Sequence, residues 1–313
     1  MIKQYLLRCS LAVLTIALLS ACGSGGGGGP SAANVTSQNT PSQPAPAEED
    51  ITQPNNPGNP PPLELPAGGK VLLSGRVTYD RVPFDARTYR GLDYSQTYAM
   101  PARGVTVQLL DSSNRVRHAT QTDTDGNYSF SIDRQQNLRV RVVAELRGNS
   151  SAAWDIQVRD NTSGNAQYVL EGSLASVGDG DSQTRNLHAA SGWSGERYDA
   201  PRSAGPFAIL DSLYDAVQTV VGVHPDVVLP PLTVYWSEKN IAISGNSAEG
   251  YIGTSFYTST GPSIYLLGAA DNDSDEYDRG VVQHEFGHYI EHQLGRTESI
   301  GGSHSQSSRL DPR

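Results

Sequence analysis

The sequence predicts a multidomain chain, a β-sandwich followed by an α+β domain, and three observations predict it. From Lys70 onward, short runs alternate apolar and polar residues and are separated by turn residues. From Phe207 the apolar residues recur instead at helical spacing. Near the end, HEFGHYIEHQLG at 284–295 carries chemistry-bearing side chains on a second helical pattern.

Two segments precede the folded part. MIKQYLLRCSLAVLTIALLSAC places Lys3 and Arg8 before an apolar stretch from Leu11 to Leu19, then ends in Leu19-Ser20-Ala21-Cys22. That order of charge, apolar core and small residues reads as an export signal, too short to span a bilayer convincingly. The Leu-Ser-Ala-Cys ending resembles the bacterial lipoprotein signal. The resemblance implies that residues 1–22 are a signal, that Cys22 is the lipid anchor, and that Gly23 after it suits the outer membrane. An ordinary signal with a stray cysteine is the plainer reading. Residues 23–69 are rich in Gly, Pro, Ser and Asn and nearly lack large apolar side chains. Such a stretch buries too little surface to offset its ordering entropy and reads as a disordered tether.

The chain has 313 residues and only two cysteines, Cys9 and Cys22. An exported chain without disulfides depends on its hydrophobic cores, and the length allows two domains of ordinary size. The formal net charge of −10 leaves no basic stripe to neutralise phosphates and argues against nucleic acid as a partner.

Within 70–147, KVLLSGRVTYD, GVTVQLLD, HATQTDTDGNYSFSID and NLRVRVVAEL read as strands. Asp125-Gly126 marks a tight turn, after which Tyr128, Phe130 and Ile132 fall on one face. GRV-TYD, GVTVQLLD and TDTDGNYSFSI resemble the transthyretin-like sandwich related to the carboxypeptidase regulatory domain, which implies a spacer or docking module. Residues 148–199 read as further strands, WDIQVRDN and AQYVLEGSL, and an irregular connection. In GPFAILDSLYDAVQTVVGVHP, Phe207, Leu210, Leu213, Tyr214, Val217, Val220 and Val221 define a core-facing helix that Gly222 and Pro225 end. PPLTVYWSE and SIYLLGA read as strands around a section rich in Gly, Ser and Asn.

The last pattern predicts a helix from about Glu276 to Gln293, capped by Asp275 or Asp278 and stopped by Gly295. His284 and His288 are then within roughly 40° of each other and about 6 Å apart along the axis, so both imidazoles can reach one cation. Glu285 lies about 100° from His284 and about 60° from His288, beside the cation but pointing past it. Catalytic zinc needs this kind of set: neutral nitrogen ligands, an open position for water, and a nearby carboxylate as base. The plainer reading is a pair of solvated or core histidines. His292 extends the same face and reads as a supporting or surface residue. Gly287 costs about 1 kcal/mol relative to Ala inside a helix, which tight packing or a close approach by a strand or substrate would explain.

A third ligand is required. Glu291 and Leu294 stand where a following Gly and His would be, which excludes the H-E-x-x-H-x-x-G-x-x-H class. Glu298 follows too closely for a separate helix, and His304 and Asp311 are isolated. HEFGHYIEHQLGRTESIGGSHS with the closing RLDPR resembles bacterial lipoprotein-like zinc peptidases of the gluzincin type. The resemblance implies a zincin-like metallopeptidase domain over 200–313 that is incomplete at its C-terminus. It also implies Zn2+ on His284 and His288, Glu285 as general base, a peptide or protein substrate, and a downstream glutamate ligand in a segment expected just beyond Arg313. In that architecture a sheet-edge strand above the zinc helix pairs with substrate backbone, and SIYLLGA (263–269) is the expected edge. The function expected is therefore a lipid-anchored, extracytoplasmic zinc peptidase. The alternatives are a non-enzymatic surface-binding lipoprotein and an inactive truncated homologue.

Overall fold

The computed structural model describes residues 69–88, 91–148, 152–270 and 273–295. The expected signal with Cys22, nearly all of the tether, and Glu298, His304 and Asp311 lie outside the described residues. The described part is β-rich, with large sheets and two α-helices.

Except for Tyr98–Pro101, which none of the predicted runs includes, the strands of the first half form where alternation predicts them. They are β1 (Lys70–Arg81), β2 (Tyr98–Pro101), β3 (Val105–Leu110), β4 (Val116–Gln121), β5 (Asn127–Asp133) and β6 (Asn137–Arg147). Gly126 turns the chain between β4 and β5 at φ 79°, and a Cβ there would lie 2.4 Å from the Val77 carbonyl oxygen, so only glycine fits. Asp123 secures that turn by accepting the N–H groups of Asp125 and Asn127 at 2.9 and 2.8 Å. Tyr128, Phe130 and Ile132 are buried together, as their alternation requires.

Residues 152–199 add β7 (Asp155–Asp160), β8 (Ala166–Gln167), β9 (Val169–Glu171), β10 (Ala175–Ser176), β11 (Ser182–Thr184) and β12 (Leu187–Ala189). Helix α1 (Ala204–Val223) follows, then β13 (Leu232–Trp236), β14 (Phe256–Thr258), β15 (Ser263–Leu266) and helix α2 (Arg279–Leu294).

A five-stranded sheet centres on β1, which pairs antiparallel with β5 and β2 and parallel with β11 and β12. A ten-stranded sheet runs β14-β15-β13-β7-β6-β3-β4, with β8, β9 and β10 joined to β6 and β7. The large sheet continues past residue 147: β6 pairs antiparallel with β7, and β7 pairs parallel with β13. One cluster of buried apolar side chains extends from Val71 on β1 through Val142 on β6 and Leu210 on α1 to Trp236, Ile264 and Phe286. Helix α1 buries Phe207, Leu210, Leu213 and Val217, the stripe its spacing predicts.

Two expectations are corrected. SIYLLGA is not the sheet edge: β15 is flanked by β13 and β14, and among the described residues the edge strand is β14. Its three residues sit in a Gly/Ser-rich stretch too short to show alternation. Helix α2 starts three residues later than expected, at Arg279. Glu276 is fully buried and paired with Arg202, and Asp278 caps the helix by accepting the Val281 N–H at 3.1 Å. Among the described residues no helix is long and apolar enough to cross a membrane.

Candidate functional site

Helix α2 is fixed at both ends of its buried face. Val282, Phe286 and Tyr289 enter the core, and the Tyr289 hydroxyl donates to the Pro230 carbonyl. At its first turn, Arg279 lies within 2.6 Å of Asp215 and 3.6 Å of Asp211 on α1. Arg103 joins the same two carboxylates at 2.9 and 2.6 Å. A cation is unfavourable at a helix N-terminus, and these two aspartates offset it. Gln283 adds a hydrogen bond to the Ser212 carbonyl at 3.1 Å.

Held this way, α2 turns Glu285 towards Tyr257 of β14 and carries His284 just before it and His288 one turn after His284 along the helix. The imidazoles of His284 and His288 approach with Nε2 atoms 3.1 Å apart, ring centroids 4.7 Å apart and planes at 85°. Two nitrogens bound to one tetrahedral zinc at 2.0–2.1 Å are separated by about 3.3 Å, so the pair fits a shared ion with little adjustment. Nδ1 of His288 lies 3.8 Å from a Glu291 carboxylate oxygen, an orientation that favours Nε2 as the atom facing His284.

Glu285 is only 8% exposed. Burial pushes its carboxyl up to about 7. The Tyr257 backbone N–H, donated to the carboxylate, pulls it down, and the charge of Asp275 raises it further. Tyr257 is the middle residue of β14, so the edge strand and the carboxylate meet directly. The Tyr257 side chain packs edge-on against Tyr289 and its hydroxyl lies 2.8 Å from Nδ1 of His292. His292 is thus engaged with Tyr257, and also with Gln293 at 3.0 Å. Ser255 donates to Asp275 at 2.5 Å and accepts the Leu267 N–H at 2.9 Å, tying the start of β14 to the segment ahead of α2. Gly287 has open space where a Cβ would stand, so packing among the described residues does not account for it.

Among the described residues no group of three His, Cys, Asp or Glu gathers as a complete metal cage. The structure brings His284 and His288 into contact and buries Glu285 at a position between them on the same helix. It adds Tyr257, Ser255 and Asp275, which sequence reasoning missed as site residues. The one available signal was the acidic run before the helix, which reads as caps.

No protein-family model matches the chain, and no curated protein matches it. A crystal structure of a Pseudomonas aeruginosa protein, described as a candidate carbohydrate binding protein, is similar over 38% of this chain and 88% of that one, at 12% identity and a TM-score of 0.22. A likeness of that size carries no argument about this chain.

Proposed function

We propose that this chain is a zinc-dependent peptidase, exported and held to the bacterial cell envelope by lipid on Cys22. The reading includes the finer fold assignment, a transthyretin-like sandwich over 70–147 and the first part of a zincin-like, gluzincin-type domain over 200–313. The observation that carries it is the convergence of the His284 and His288 Nε2 atoms at 3.1 Å beside a buried carboxylate bonded to an edge strand.

His284 and His288 would hold the ion, with a further ligand from beyond the described residues. Bound there, zinc supplies a Lewis acid that makes water nucleophilic near neutral pH. Glu285 accepts the proton of the attacking water and passes it to the leaving amine, as a carboxylate beside the ligands but not itself a ligand can. Strand β14 aligns an extended peptide by main-chain pairing along the open side of the sheet.

Purified full chain should carry stoichiometric zinc by elemental analysis and cleave an unstructured protein such as casein. Glu285→Ala should retain zinc and lose cleavage, whereas His284→Ala should lose both. A chain that binds no zinc at all refutes the proposal and favours the non-enzymatic surface-binding reading. Cys22→Ser should move the protein from the membrane to the soluble fraction.

A further inference from the structure

One face of the sheet at its β14 end carries a row of aromatic rings that peptide alignment alone does not use. Phe256 and Tyr265 are direct cross-strand partners, as are Tyr265 and Tyr235. The first pair stacks with centroids 5.0 Å apart and planes 11° from parallel, the second at 4.8 Å and 30°. These spacings match the distance between neighbouring strands, about 4.7–4.9 Å, so each ring covers the face of the next.

The two ends of the row differ. Tyr235 stands opposite Arg159 of β7, whose guanidinium is bonded to the Gln157 side chain and the Asn165 carbonyl. Phe256 is half-buried on β14, the last strand of the sheet among the described residues. One face of its ring is covered by Tyr265, and the other faces the open edge. The next residue, Tyr257, points towards Tyr289 and His292 on α2. Phe256 therefore projects from the opposite face, because successive side chains in a strand alternate.

We infer that Phe256 determines specificity: a peptide added along β14 binds preferentially when an aromatic side chain stands opposite Phe256 and extends the stack. The inference rests on the peptide-binding reading of the same edge. An added strand lies one inter-strand spacing further out, so its side chain opposite Phe256, on the same face, meets the open side of that ring. An aliphatic side chain covers the same area without the quadrupole attraction of two offset rings. Substrate residues immediately before and after point to the opposite face, so the preference falls on one position and spares its two neighbours.

The test uses the full chain carrying Glu285→Gln, which leaves peptides intact and keeps an amide oxygen for the Tyr257 N–H. A labelled extended host peptide of Ala, Ser and Thr is scanned with a single Phe, and binding is read by fluorescence anisotropy. One position should bind about five- to tenfold more tightly with Phe than with Ala, and the adjacent positions should not. Phe256→Leu, which keeps the apolar area at the sheet end and removes only the ring, should lower that Phe-to-Ala ratio by about threefold, and Phe256→Trp should preserve it. Peptide binding with no positional preference, or a ratio unchanged in Phe256→Leu, overturns the inference and leaves the peptide reading standing. Absence of any peptide binding overturns both.

Discussion

Glu285 and its neighbours show how one position can be readable in kind and unreadable in setting. Helical geometry alone places His284 and His288 on one side and Glu285 past them; in the structure the two imidazoles meet at 3.1 Å and Glu285 is buried. The burial that raises the carboxyl and the Tyr257 N–H that holds it come from a strand 28 positions earlier, 285 minus 257, and no local pattern encodes them. If Glu285 carries the proton, Glu285→Ala should lower kcat/KM by about 100-fold or more while zinc content stays at one per chain, since general bases typically contribute that much. Equal loss of zinc and turnover would instead assign Glu285 to holding the fold. Arg202 is the second residue whose role lies in a distant partner. It is 4% exposed, pairs with the fully buried Glu276 and stacks over Tyr198 at 4.3 Å. Arg202→Met alone strands a buried carboxylate and should cost about 3–5 kcal/mol, whereas adding Glu276→Leu should recover a large part of it. Urea midpoints of the two variants check this.

Among the elements, α2 was legible because its signals are local: an aspartate cap, apolar residues at helical spacing and a glycine stop. Only its start differs, because Glu276 and Tyr277 are drawn into the core before the cap at Asp278. Strand β14 was not legible, since three residues cannot show alternation and the section around it reads as loop. Its place at the edge follows from where β15 finds its second partner, a tertiary choice. The helix itself offers a direct test. Gly287 is exposed, lies inside α2 and has open space around the position of a Cβ. Gly287→Ala should therefore stabilise the protein by about 0.5–1 kcal/mol in chemical denaturation, the ordinary helix-propensity difference. A destabilised variant would show that something outside the described residues occupies that space.

At the scale of the whole described region, the strands of 70–147 other than β2 were readable one by one, but their partners were not. Alternation states which face of a strand is buried and leaves open which strand lies beside it. Here β6 is bordered by β3 and β7, and β7 by β13, so the sheet carries the first half of the sequence into the second without a break. Helix α1 lies against the resulting core, with Phe207, Leu210 and Leu213 in the same buried cluster as Val71, Val142 and Trp236. Two independent domains would each close their own core. A shared core instead couples their unfolding, because Val142 on β6 and Val158 on β7 lose burial together if either half opens. Unfolding of residues 69–295 should therefore be a single transition, with the near-ultraviolet signal of the buried Trp236 coincident with the far-ultraviolet signal of the strands. The fragment 70–147 expressed alone should bind a hydrophobic dye and lack a cooperative transition, since it removes β7, the partner of β6 at Leu146, and the α1 residues that belong to the same buried cluster as Val140 and Val142. Two separated transitions in the longer protein, or a cooperatively folded 70–147, would place the seam between halves back at residue 147.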